Sequence, residues 1–156
     1  MCASASGACG PVPGNRGETM KYDREKVREV LLRLLANGPL AQLPAKEMDL
    51  EIFLALAGAG FVPGREYRER EVNEMLREWL ATFCLPGSPD HVTLRRCLVD
   101  ARFLTRNKAG SAYAATMGHV GEVIADAARD IEPAGILEEI RRGRESRKRA
   151  RQEAAS

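Results

Sequence analysis

A chain of 156 residues has room for one domain with extensions, not for two full domains. Its hydrophobic fraction of 44% is enough for a core, and only 5% aromatic content makes that core mainly aliphatic. A net charge of +2 singles out no partner; no apolar run approaches the ~18 residues of a membrane span, and the first residues lack the apolar stretch of a secretory signal.

The distribution of charge says more than its sum. Residues 141–156 carry +5 and residues 1–140 carry −3. Within the centre, 43–89 is −3 and 90–115 is +3. The four cysteines, Cys2, Cys9, Cys84 and Cys97, form no CxxC pair. Cys84, His91 and Cys97 lack a standard zinc spacing, so reduced thiols in a cytoplasmic protein are expected, with no metal and no cofactor.

Residues 1–19 are small, Gly- and Pro-rich and aperiodic, which predicts a disordered leader. A flanking segment, 20–42, follows. In it Asp23 is an N-cap for a helix over 23–36, whose Val27, Val30, Leu31, Leu34 and Leu35 make one apolar stripe. Asn37-Gly38-Pro39 ends it. A second helix over 45–58 is apolar around most of its circumference and belongs in the centre of a core. A third over 68–83 puts Val72, Met75, Leu76, Trp79, Leu80 and Phe83 on one face, opposite Glu71, Glu74, Arg77 and Glu78. Asn73 sits at the edge of that stripe and is expected to bond nearby backbone. Trp79 is expected in the core.

Leu85-Pro86-Gly87 breaks the chain, and Ser88-Pro89 starts a helix over 89–101. Leu94, Cys97, Leu98 and Ala101 face inward, with Thr93, Arg96 and Asp100 roughly opposite. Phe103–Arg106 and Ser111–Ala114 read as two short paired strands around Asn107-Lys108-Ala109-Gly110. Residues 116–131 form a further helical stretch that Pro133 breaks or kinks. A last apolar segment, Ile136, Leu137 and Ile140, precedes a basic tail over 141–156 that is either a frayed helix or disordered. The expected fold is mainly α: a winged helix-turn-helix core over 43–115 with a small two-stranded β-ribbon, flanked by helices over 20–42 and 116–140.

Four pieces resemble a known family, the bacterial domain of unknown function 2087. They are REYREREVN at 65–73, LRRCLVD at 94–100, FLTR at 103–106 and GSAY at 110–113, in the family's order and spanning about 45–115. The resemblance implies a winged-helix-like module, found alone or fused to regulator-type domains, with no established activity. Three departures stand out. Arg68 replaces the Ser or Thr that would cap a helix together with Glu71, the segment 80–93 is long, and Ala114 replaces a common aromatic after Tyr113.

A basic helix running into a β-ribbon predicts binding to double-stranded DNA by a small transcriptional regulator. Thr93 and Arg96 are the expected specificity residues, and Arg95, Arg102, Arg106 and Lys108 the expected phosphate contacts. Four of these have a structural alternative. Arg96 is placed to pair with Asp100 at i+4, Arg95 to lie across Glu71, Glu74 or Glu78, and Arg106 and Lys108 to serve as solvated turn charges. Tyr113 reads as an anchor of the ribbon to the core. His91 and His119 are isolated, and no GxSxG, HExxH, P-loop or Rossmann fingerprint occurs, so no enzyme is expected. The alternative is a winged helix that binds only protein. The stripes of 23–36 and 116–131 exceed what a compact module needs, which predicts a homodimer.

Overall fold

The computed structural model describes residues 21–155; the expected leader lies outside them. Among the described residues the helices are α1 (Arg24–Leu34), α2 (Glu47–Ala59), α3 (Glu69–Ala81), α4 (His91–Asp100), α5 (Met117–Val123) and α6 (Pro133–Ala155). Three short strands accompany them: β1 (Glu66–Arg68), β2 (Leu104–Arg106) and β3 (Ala112–Ala115).

Helix α2 is the axis of the core. Ile52 to Gly58 are all buried, as expected of a helix that is apolar all round. Phe53 meets Trp79 at 5.2 Å and Phe83 at 5.8 Å between ring centroids, which forms an aromatic cluster between α2 and the end of α3. Gly58 is buried in the last turn of α2. A Cβ there would lie 3.3 Å from Val120 and 3.4 Å from Phe103, so its small size lets α5 approach.

The sheet has three strands, not the two of the expected ribbon. Their order is β1-β3-β2 and both pairings are antiparallel. Three residues before α3 carry too little alternation to read as a strand; they become one because β3 offers them a free edge. Tyr67 then stands directly across from Tyr113. Both rings are buried, and the Tyr67 hydroxyl accepts from the Val62 amide at 2.8 Å.

The flanking helices share this core. Val27, Val30, Leu31 and Leu35 are at most 1% exposed, and the same continuous cluster contains Val120, Ile124, Ile131, Ile136 and Leu137. Most of both stripes is thus covered within one chain. Backbone pairing adds to this. Tyr22 bridges Ile124 in parallel, and Leu40 bridges Cys84. Asp49 is 2% exposed and receives Arg33 in a fork, Nη1 to Oδ2 at 2.9 Å and Nη2 to Oδ1 at 2.6 Å.

The C-terminal third departs most from expectation. The helix predicted over 116–131 stops at Val123, gives way to extended backbone at Ile124 and then to a 3-10 turn over Asp126–Ala128. Gly118 and Gly121 weaken a long helix there, and the Tyr22 bridge takes up the backbone of 124. Pro133 opens a helix instead of breaking one, a position where its missing N–H goes unused. That helix runs without interruption through the basic segment to Ala155. No helix among the described residues is long and apolar enough to cross a membrane.

Candidate functional site

Helix α4 carries the central basic residues, and its two ends are built differently. At the N-terminus Asp90 caps, accepting from the Thr93 amide at 3.4 Å and the Thr93 hydroxyl at 3.3 Å. Thr93 is exposed, yet its hydroxyl is turned to the cap, which leaves its methyl as the outward group. At the C-terminus the Arg102 amide donates to the Val99 carbonyl at 3.1 Å and the Phe103 amide to Leu98 at 2.8 Å. This is the Schellman pattern, with buried Leu98 and Phe103 as its apolar pair. The pattern puts Arg102 at φ 69°, in the left-handed region that glycine usually fills.

Arg95 and Arg96 diverge as their 100° separation requires. Arg95 has 11% of its side chain exposed. It donates to the Asn73 amide oxygen, pairs with Glu69 at 3.0 Å and lies 5.9 Å from the centroid of the Tyr113 ring. It therefore ties α3, α4 and β3 together. The predicted partners Glu71, Glu74 and Glu78 lie further along α3; the guanidinium reaches Glu69, near the helix start. Asn73 bonds this guanidinium and not the expected backbone group. Arg95 is thus engaged by Asn73 and Glu69, which gives it a positioning role beside its expected part in affinity.

Arg96 is exposed, and among the described residues it pairs with no acid; the i+4 bridge to Asp100 is not formed. Arg106, on β2, is exposed and also unpaired. Arg96 and Arg106 meet across one cleft of about 300 Å³, with Arg95, Val99, Asp100 and Tyr113 as the remaining lining. The sequence placed these two arginines on separate elements; the turn of chain through Arg102 brings them to one opening.

The hairpin tip is organised by Asn107. Its side-chain oxygen accepts from the Ser111 amide at 2.9 Å and the Ala112 amide at 3.3 Å, and its amide nitrogen donates to the Ser111 hydroxyl at 3.1 Å. Gly110 closes the turn at φ 72°. Lys108 is held at this tip, exposed and without a partner among the described residues. An Asn three residues before a Gly between two strands was the signal for this role.

Residues 39–115 match the family described as an uncharacterized protein conserved in bacteria (DUF2087). This stretch is a domain of that family. No curated protein and no solved structure matches the chain.

The DUF2087 domain thus spans the link after α1 through β3, and both predicted sets of basic residues fall inside it. Its start of α3 keeps half of a capping box. Glu71 accepts from the Arg68 amide at 2.9 Å, while the guanidinium of Arg68 has no acceptor with which to return the bond. The domain's thiols are not poised for chemistry. Burial pushes Cys84 up to about 12, and burial with Asp100 nearby also raises half-buried Cys97.

Proposed function

We propose that the DUF2087 domain of this chain binds double-stranded DNA as a small cytoplasmic regulator, with α4 in the major groove and the β2–β3 hairpin as a wing on the backbone. The order helix, strand, helix, helix, strand, strand, with the first strand laid on the last, supports reading α3 and α4 as a helix-turn-helix pair. One observation carries the reading: Arg96 and Arg106 are exposed, unpaired and open into one cleft. Two exposed arginines at one opening outnumber the single carboxylate of Asp100 and favour an anionic partner there. Arg96 is the base-reading residue, since a guanidinium on the outward face of α4 can meet a guanine edge with two bonds. Arg106, Lys108 and Arg102 contact phosphate, and Thr93 offers its methyl.

The test is binding of single variants to a selected site and to a scrambled duplex over a salt series. Arg96→Ala is expected to weaken the selected site by about 1–3 kcal/mol and to relax preference there. Lys108→Ala is expected to weaken every duplex alike and to lower the salt slope by about 1. Unchanged binding in both folded variants would remove the DNA reading. The alternative, a module that binds only protein, is favoured by a groove of about 330 Å³ lined by Phe61, Met75, Leu76 and Trp79. A partner that protects Trp79 fluorescence from quenching, with no duplex shift, would select it.

A further inference from the structure

Helix α6 changes character along one face. Pro133, Ile136, Leu137 and Ile140 pack against the body of the protein. Arg144, Arg147, Lys148 and Arg151 follow at 4, 7, 8 and 11 residues beyond Ile140 and line one surface. At 100° per residue all eight fall within an arc of about 120°. The packing face therefore continues straight into a basic face. Glu145 and Glu153 project outside that arc, at about 100° and 180° from Arg144. From Arg141 to Ala155 every residue but Gly143 is exposed, so α6 extends about 22 Å past its last apolar contact.

This face is held in phase with the body. Arg144 donates to the Ala36 carbonyl just past α1, and Arg28 of α1 pairs with Glu139. Arg147, Lys148 and Arg151 have no acidic partner among the described residues. Arg144 with Lys148, and Arg147 with Arg151, are like charges at i+4, which repel within the helix. An apolar or cationic partner cannot occupy such a face. A polyanion can, and it relieves the repulsion.

We propose that the Arg144, Arg147, Lys148 and Arg151 face of α6 is a second contact for double-stranded nucleic acid, tracking phosphates through its phase on the helix and not merely through its charge. It rests on the reading of the DUF2087 domain as a duplex binder, and it adds a surface outside that domain.

The experiment uses the full chain and a 20-base-pair duplex, followed by fluorescence anisotropy from about 50 to 200 mM salt. One variant neutralises the face: Arg147→Ala with Lys148→Ala and Arg151→Ala. A second keeps the net charge and moves it to the other side of α6: Ser146→Arg, Arg147→Ser, Ala150→Arg and Arg151→Ala. The first is expected to lower the salt slope by about 2–3. The second is expected to lower it by about 2, with circular dichroism unchanged for both. A charge-shifted variant that binds like the parent overturns the assignment of the face. If both α6 variants bind normally while Arg96→Ala with Arg106→Ala does not, the inference fails and the domain reading stands. If only the α6 variants lose binding, the face is the contact and the domain reading fails. A parent chain that shifts no duplex at 50 mM salt, including one that binds only anionic vesicles, overturns both.

Discussion

Single residues in this protein divide by whether their charge is used internally. Asp49 is the clearest internal case. The Arg33 fork, outweighing the opposing effect of burial, holds its carboxyl below the usual carboxylate range. A depressed folded-state pKa contributes stability that is complete above the unfolded value of about 3.9 and is lost as pH falls through the folded value. Arg33→Ala strands a buried carboxylate and is expected to destabilise by about 3 kcal/mol at pH 7. Its deficit should shrink as the pH is lowered toward 5, because protonation then neutralises Asp49. Asp49→Ala leaves only a half-exposed guanidinium and should cost about 1–2 kcal/mol with no such pH dependence. Urea unfolding at pH 7 and pH 5 separates the two. Arg102 is the opposite case, an exposed residue held in a conformation suited to glycine. Arg102→Gly should raise stability by about 0.5–1 kcal/mol, as the left-handed strain is removed. It should also lower duplex affinity at every sequence. A loss of stability would show that the side chain makes a contact that outweighs the strain.

At the scale of elements, Arg95 holds the site together and Arg96 uses it. Arg95→Ala removes the link from α4 to Asn73 and Glu69 and should cost about 2–3 kcal/mol. Arg95→Lys should recover little, because a single ammonium cannot span both acceptors and stack toward Tyr113. Arg96→Ala should stay within about 0.5 kcal/mol of the parent. Equal losses from both would place Arg96 inside the packing. A chain ending at Ile140 is expected to unfold within about 0.5 kcal/mol of the full one, since the removed turns bury almost nothing. A larger loss, read by thermal denaturation, would mean that the Arg144 bond to Ala36 anchors α1.

Across the whole molecule, the core joins α1, α5 and the start of α6 to the DUF2087 domain. With Val27, Val30, Leu31, Val120 and Val123 all buried within one chain, the protein is expected to be monomeric at high micromolar concentration. Light scattering with and without duplex checks this; a stable dimer would have to use a polar surface or the Trp79 groove. Positive charge is then concentrated in two places, the Arg96–Arg106 cleft, where Asp100 is the one acid, and the far half of α6.

Local patterning by itself determined most of the helices and the hairpin. Apolar residues at i, i+3, i+4 and i+7 fall on one helical face whatever the fold, and Asn107 to Gly110 is a turn by its own conformational preferences. Where these signals were clean, in α1, α2, α3 and α4, the observed spans lie within a few residues of those read from the chain. Tertiary structure alone decided the rest. β1 exists because β3 has an edge to pair with. Residues 116–131 are split because Ile124 bridges Tyr22. The flanking stripes are buried at home because α2 is apolar on every side. The sign and number of the basic residues were visible in the sequence; which were free was not. Pairing depends on distance between elements, and distance placed Arg95 against Glu69 and Asn73 while leaving Arg96 and Arg106 open to solvent.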